Sequence, residues 1–227
     1  MQTMLPATDQ ERKEQLAAMI TELYRAGLVT ASGGNLSVRS ASHADAVWIT
    51  PSRLFKGGLT ADQMILIDFD GKRIEVEGNP PGDPSVESVY HAGILKRRPE
   101  LSSVIHTHAP FATAFAMCDM QMPPMTTEAI FMMHLPVIPW ALGGSRELAE
   151  YMIEYVGNTK AGGAFLRNHG LVTIGRNLRE AADFTYAIEH TIRILLLCRM
   201  MGKEPSVIPQ ETVDLLLNYM QMALAGI

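Results

Sequence analysis

Residues 103–116 read SVIHTHAPFATAFA and contain the most informative pattern in the chain. The run up to His108 predicts a β-strand, and Pro110 opens a predicted helix. Side chains alternate faces along a strand, so His106 and His108 point to one side and Thr107 to the other. Two imidazoles on one face can bind a single divalent ion. Pairs of ordinary core or surface histidines have the same spacing.

A third histidine, His169, lies in the stretch FLRNHGLVTIG (165–175). It stands between Asn168 and Gly170, at a predicted turn between two strands, where packing gives no reason for a bulky side chain. Asn-His-Gly is also an ordinary turn sequence. Three histidines that leave one position for substrate are typical of a catalytic metal site. We therefore predict such a site at the three histidines.

A carboxylate beside three imidazoles would anchor the ion and accept a substrate proton. Glu87 is the best candidate, because it lies just inside a helix that we predict from Pro84 to about Arg98. Asp83 is explained more simply as the N-cap of that helix. The alternative interpretation of Glu87 is an exposed first-turn glutamate that the helix dipole favours.

The composition limits the function classes. The chain has 227 residues, enough for one large domain over 1–227 with a buried core. The net charge is −5 and the basic residues are scattered, which argues against nucleic acid as a partner. The most apolar predicted helix, 178–201, is interrupted by Arg193 and Arg199, so we expect no membrane span.

Two cysteines, Cys118 and Cys198, each lie in an apolar stretch without metal or redox spacing. They predict buried thiols in a reducing compartment. The N-terminus lacks the basic start and apolar core of a signal peptide. We therefore expect a cytoplasmic location.

The remaining patterns predict a mainly antiparallel sheet flanked by helices, because hairpins mix with helices without regular βαβ alternation. The predicted helices cover residues 9–25, 110–117, 145–156, 178 onward and 211–222. The Gly-rich stretch 31–39 is predicted to turn and run into a strand, and the other predicted strands cover residues 47–51, 64–68, 73–76, 163–166 and 171–174.

Five ordered motifs, SGGNLSVR, ITPS, DPSVE, VIHTHAPFATAFA and RNHGLVTIG, resemble the class II aldolase/adducin family over about residues 11–201. The resemblance implies a three-layer α/β/α sandwich around a central mixed, mainly antiparallel sheet. It also implies that His106, His108 and His169 are the metal ligands. Glu87 would be the fourth ligand and the general acid/base. Zinc is usual in the family, and manganese, cobalt or iron occurs in relatives.

The chemistry implied by the resemblance is metal-dependent cleavage of a C–C bond, by aldol cleavage or by decarboxylation, because both reactions generate an anion that a metal ion stabilises. Family members are commonly homotetramers with active sites at subunit boundaries. The methionine-rich, apolar segment 117–140 fits a subunit contact, an adaptable pocket or plain core filling.

The phosphate pocket of the sugar-phosphate members is matched here in part. The residues that correspond to it are Ser32, Gly34, Asn35, Ser52 and Ser85. Arg53, however, stands where glycine is expected, and Val86 replaces a second serine. A guanidinium there would suit a planar carboxylate through a bidentate pair. We therefore predict a small hydroxy or keto substrate with a carboxylate, of an aromatic or short keto-acid kind, in place of a sugar phosphate.

The tyrosine that some family members use as a proton donor is absent, and Thr127 and Glu128 occupy the corresponding stretch. Glu128 and His134 could transfer the proton instead, or could be ordinary polar residues on a mobile loop. The surrounding side chains, Ile130, Phe131, Met132, Met133 and Trp140, are more apolar than a polyhydroxylated sugar needs.

Several alternatives stay open at this point. Sugar-phosphate aldolases and epimerases share the fold, although the epimerases carry Asp at the position of Glu87. A non-catalytic adducin-like interaction module tends to lose the ligand set that this chain keeps. A non-haem iron oxygenase could use the same ligands with Fe(II).

Overall fold

The computed structural model describes residues 5–225, and its central feature is a sheet of seven strands. The strands are β1 (Asn35–Arg39), β2 (Ala46–Ile49), β3 (Ile65–Asp68), β4 (Ser103–Thr107), β5 (Val137–Ile138), β6 (Gly163–Leu166) and β7 (Gly170–Gly175). The helices are α1 (Asp9–Arg25), α2 (Ser88–Arg97), α3 (Pro110–Met117), α4 (Thr127–Met132), α5 (Arg146–Met152), α6 (Leu178–Met200) and α7 (Gln210–Ala225). A π-helical turn, Ile153–Gly157, extends α5.

The strand order is β3-β2-β1-β4-β7-β6-β5. Every pair is antiparallel except β5 with β6, which is parallel. The mixed, mainly antiparallel sheet is therefore confirmed.

Both faces of the sheet are apolar, because successive strand residues alternate between two separate cores. In β2, Val47 and Ile49 pack with residues of α2 and α5, whereas Trp48 packs with residues of α1, α3 and α6. A sheet that buries both faces needs helices on both. The three-layer sandwich predicted from the resemblance is confirmed.

The predicted hairpin after β3 forms only in part. Arg73 makes an isolated bridge to Ile67, and the Ile74 N–H donates to the Leu66 carbonyl at 3.0 Å, but residues 73–76 add no strand to the sheet. The side chain of Asn79 also bonds the Leu66 backbone, accepting from its N–H at 2.8 Å and donating to its carbonyl at 2.9 Å. An amide side chain thus supplies part of the hydrogen bonding at this edge, where we expected a full second strand.

The helix predicted from Pro84 begins later, at Ser88. Pro84 forms a bridge with Pro51, so the backbone is still extended there. Glu87 is the N-cap residue, and the prediction that Asp83 has this position is wrong.

Two other predictions from the sequence need correction. Cys118 is exposed and Cys198 is half-buried, so they are not buried thiols. Glu128 lies in the first turn of α4, which Thr126 caps, and not on an irregular loop. In the described part of the chain, no helix combines the length and apolar character that a membrane span requires.

Candidate active site

The three predicted histidines meet at one point of the sheet. His106 is the penultimate residue of β4 and faces the α2 side, His108 follows the strand, and His169 occupies the turn between β6 and β7. One ring nitrogen from each lies within 4.8 Å of the other two. Ligand nitrogens around a tetrahedral zinc ion are about 3 to 4 Å apart, given Zn–N bonds of about 2.0 to 2.1 Å. The cluster therefore has the size of a metal site.

The orientation of His106 shows which atom faces the cluster. Its Nδ1 lies 3.2 Å from the carbonyl oxygen of Leu171, and an N–H there would donate to that oxygen. The other nitrogen, Nε2, then presents a lone pair 3.1 Å from Nε2 of His108. Such a carbonyl contact commonly fixes the tautomer of a metal-binding histidine.

The rings of His106 and His108 are neutral near neutral pH, so protonation does not offset the repulsion between their converging lone pairs. Burial lowers the pKa of His106 to about 4, although the negative charge of Glu87 opposes the shift. Burial and the neighbouring His169 also lower the pKa of His108. Neutral imidazoles that converge on one point are the state in which histidine binds a metal ion.

Glu87 lies beside the cluster and is 5% exposed, so it is not the solvent-exposed helix residue of the alternative interpretation. Its Oε2 is 3.4 Å from Nε2 of His106, and its Oε1 is 3.7 Å from Nε2 of His169. Burial raises the pKa of Glu87, whereas His106 and a hydrogen bond from Asn35 lower it, and the net pKa lies below the usual range. The carboxylate is therefore ionised at neutral pH.

Asn35 is a register partner of His106 across β1 and β4. Its Nδ2 donates to Oε2 of Glu87 at 2.8 Å. The resemblance places Asn35 in the substrate pocket, and the structure gives it this contact with Glu87 as well. Its Oδ1 is buried and has no hydrogen-bond partner among the described residues.

Two glycines that no sequence pattern predicted lie against the histidine cluster. A Cβ on Gly33 would come within 2.6 Å of the His108 ring. A Cβ on Gly143 would lie 3.4 Å from the His169 ring and 3.7 Å from Oε1 of Glu87. The backbone thus approaches the histidines closely at both positions. No spacing rule could have identified these glycines, because the contacts arise from loops that are distant in sequence.

Backbone hydrogen bonds join the three loops of the predicted substrate pocket. Ser52 donates from its N–H to Asp83 at 3.0 Å, and Lys56 donates from its N–H to Ala31 at 2.9 Å. With the bridge between Pro51 and Pro84, these contacts bring residues 31–35, 51–56 and 83–87 together.

The individual residues of these loops differ in exposure. Ser32 is exposed, Ser52 is half-buried and Ser85 is buried. The Ser85 hydroxyl accepts from the backbone N–H of Glu87 at 3.3 Å. Gly34 has φ +87, and a Cβ there would collide with Val29, so glycine is required.

Arg53 is exposed and has φ +60, a left-handed conformation that glycine adopts far more easily. Its guanidinium makes no hydrogen bond or ion pair with any residue in the range 5–225. The turn that carries it is fixed by Lys56, whose buried Nζ donates to the carbonyl of Pro51 at 2.7 Å. Burial lowers the pKa of Lys56 to about 8.

The other proposed proton carriers make no side-chain contact with this arrangement among the described residues. Glu128 and His134 are both exposed, and within the described residues neither side chain makes a hydrogen bond or ion pair. Val86, at the position of the missing serine, is 57% exposed and packs against Gly144. The rim beside Glu87 is thus apolar at this point.

The sequence of the chain matches the class II aldolase and adducin N-terminal domain over residues 14–196. The chain belongs to the class II aldolase and adducin family. An L-fuculose phosphate aldolase from Methanococcus maripaludis is 31% identical over 173 residues, which cover 76% of this chain and 89% of that protein. A 3-oxo-tetronate 4-phosphate decarboxylase from Haemophilus influenzae is 31% identical over 195 residues, which cover 82% and 88% of the two chains.

A solved L-fuculose 1-phosphate aldolase superposes with a TM-score of 0.79 at 24% identity, covering 93% of this chain and 96% of that one. The likeness supports the same fold. Because the named sequence relatives are aldolases and a decarboxylase, the chain is a lyase of the class II aldolase type. The enzyme class predicted from the sequence is confirmed.

Proposed function

We propose that the protein is a divalent-metal-dependent C–C lyase, an aldolase or a decarboxylase, that acts on a small hydroxy or keto compound with a carboxylate. The observation that carries the proposal is the convergence of three imidazoles and one carboxylate on a single point. A separate observation supports the carboxylate: among the described residues, nothing pairs with the guanidinium of Arg53.

The donor set fits a divalent cation. His106, His108 and His169 would supply three nitrogens, and Oε1 of Glu87 is buried without a hydrogen-bond partner in the described part of the chain. A buried carboxylate oxygen without a donor is costly unless a cation compensates it. Zinc is the metal that this set of nitrogen and oxygen ligands favours, and manganese, cobalt and iron are also compatible.

When bound, the ion would supply Lewis-acid stabilisation of the negative charge that develops on the substrate oxygens as the C–C bond breaks. Glu87 would move the substrate proton, because it is the ionised carboxylate beside the three histidines. Arg53 would bind the substrate carboxylate through its planar pair of N–H donors. The hydroxyls of Ser32, Ser52 and Ser85 would orient the remaining substrate oxygens.

A sugar phosphate is the second candidate substrate. The relatives named above are a fuculose phosphate aldolase and a tetronate phosphate decarboxylase, and three serines of the pocket are retained. Arg53 and Val86 favour the carboxylate over the phosphate. The expected glycine would let the backbone approach a phosphate closely, and the expected serine would donate a hydroxyl, whereas this chain offers one planar cation.

We also propose a homotetramer, as is common in the family. Several large apolar side chains are exposed on the single chain, which a subunit contact would cover. They include Met117, Trp140, Leu142, Met200, Met201 and Leu215.

A substrate panel tests the proposed function. Purified metal-loaded enzyme would be assayed with 2-keto and 4-hydroxy-2-keto acids and, in parallel, with fuculose and ribulose phosphates. We expect efficient cleavage within the carboxylate group. Arg53→Ala should lower kcat/KM for that substrate by about ten- to a hundredfold, because a charge-assisted hydrogen bond contributes about 1.5 to 3 kcal/mol.

The matched control is Arg146→Ala, which removes an exposed guanidinium from α5 and should leave kcat/KM unchanged. Bound metal should stay constant in both variants. Efficient cleavage of the sugar phosphates by the wild type, with Arg53→Ala unimpaired on every carboxylate tried, would contradict the carboxylate hypothesis.

A further inference from the structure

Tyr90 lies on the face of α2 that packs against the sheet, one turn after Glu87. It is 1% exposed and is among the largest fully buried side chains of the protein. Residues three apart on a helix share a face, so the phenol and the Glu87 carboxylate point to the same region. Nothing in the five family motifs assigns this tyrosine a role.

The Tyr90 hydroxyl has no hydrogen-bond partner in the described part of the chain. Burial, together with the negative charge of Glu87 one turn earlier, raises the pKa of the phenol well above its usual value. A buried hydroxyl without a partner is costly, and native proteins rarely leave one without a reason.

The ring has little freedom to turn the hydroxyl elsewhere. It stacks on the His91 ring with centroids 4.8 Å apart, and it meets the edge of the His106 ring at 6.4 Å. His91 is itself fixed, because its Nδ1 lies 2.8 Å from Oγ of Ser37. Neighbours on the helix and on two strands therefore keep the phenol beside the carboxylate.

Plain core packing does not account for this residue. Phenylalanine would fill the same space and make the same ring contacts without an unsatisfied hydroxyl. A donor next to an ionised, buried carboxylate gains a charge-assisted hydrogen bond after a small movement of either group. Asn35 already donates to one oxygen of that carboxylate.

We propose that Tyr90 is a positioning residue for Glu87, and that its phenol donates to the carboxylate and, with the Asn35 amide, keeps it turned toward the three histidines. This inference rests on the proposed metal site. Partners that orient a metal-binding carboxylate typically change metal affinity by about 10- to 100-fold when they are removed.

A metal titration tests the inference without any substrate. Metal-free wild type, Tyr90→Phe and Tyr151→Phe would be titrated with Co²⁺ alone while the visible absorption of the ion is recorded. Tyr151 is the matched control, because its hydroxyl contacts Glu147 on the surface of α5. We expect Tyr90→Phe to bind Co²⁺ about 10- to 100-fold more weakly, with a shifted spectrum. Tyr151→Phe should match the wild type.

Thermal unfolding of the metal-free proteins separates positioning from packing. Tyr90→Phe keeps the ring and its packing contacts and loses one hydrogen bond to Glu87, so its Tm should fall only slightly while the Co²⁺ spectrum shifts. Weaker Co²⁺ binding with a markedly lowered Tm and an unshifted spectrum would make Tyr90 a packing residue and overturn the inference.

A His108→Ala protein separates a failure of the proposed metal site from a failure of the proposed role of Tyr90. If it loses Co²⁺ binding while Tyr90→Phe keeps the affinity and spectrum of the wild type, the metal site stands and the role of Tyr90 is refuted. If the wild type itself binds no Co²⁺, both are refuted.

Discussion

A residue other than glycine with positive φ is uncommon, and Arg53 has such a conformation in a loop that is hydrogen-bonded to the segment before Glu87. Backbone strain of this kind persists where the surrounding structure enforces it, and it is concentrated at functional sites. The Lys56 ammonium, bonded to the Pro51 carbonyl, stabilises this turn. The sequence showed that arginine replaces an expected glycine, and the structure shows the conformational cost of that replacement.

Arg53→Gly and Arg53→Ala separate this strain from the charge. Both variants lack the guanidinium, but only glycine adopts φ +60 without steric cost. We expect the glycine variant to be more stable than the alanine variant by about 1 kcal/mol in urea unfolding, with equal losses of kcat/KM on a carboxylate substrate. Equal stability of the two variants would mean that the turn is not strained.

The residues of the site were predictable to different degrees. His106 and His108 could be placed together because strand periodicity dictates their common direction. Gly33 and Tyr90 were not identified, because their contacts depend on how a loop and a helix approach the sheet. That approach is a tertiary property which local spacing does not encode.

At the scale of elements, helix α1 is attached to the loop between β1 and β2 by one carboxylate. Asp9 accepts from the Ala41 N–H at 2.5 Å and from the hydroxyls of Ser40 and Ser42. Burial raises its pKa, but the hydrogen bonds from Ser42 and the Ala41 N–H outweigh this and lower the pKa to about 2. Asp9 is also the first residue of α1, where the helix dipole favours a negative charge.

This shift predicts how stability depends on acid. The pKa of Asp9 is lower in the folded state, so its contribution is complete above about pH 4 and is lost as the pH falls toward 2. We expect metal-free wild type to exceed Asp9→Asn in free energy of unfolding by about 1 kcal/mol at pH 6, since partial solvation screens the carboxyl group. Denaturant titrations should show that difference shrinking by pH 2.5, and a constant difference would refute the prediction.

Element boundaries were predicted well where local signals dominate. The Thr8 capping box begins α1 at the expected Asp9. The start of α2 was predicted too early because Pro84, a good first helical residue, is drawn into a bridge with Pro51. Helix α4 was not identified because its proline- and methionine-rich surroundings resemble a loop. In both cases contacts between distant segments overrode local preference.

At the scale of the whole molecule, the exposed apolar side chains predict association. We expect light scattering to give a native mass near four times the 25.0 kDa of one chain. Trp140→Asp, which places a charge at a side chain that is 59% exposed, should shift the protein toward smaller species if that surface is a contact. A wild-type mass near 25.0 kDa would contradict the tetramer.

We propose that His106, His108 and His169 bind one divalent ion that the lyase activity requires. The most direct measurement is the metal content, by mass spectrometry, of wild type and His108→Ala purified without chelator, with circular dichroism as the control for folding. We expect close to one equivalent of a divalent ion per wild-type chain. We expect little or none in His108→Ala, with an unchanged circular dichroism spectrum, because the apolar cores on both faces of the sheet do not depend on the ion. Full metal occupancy in a folded His108→Ala protein would contradict the account.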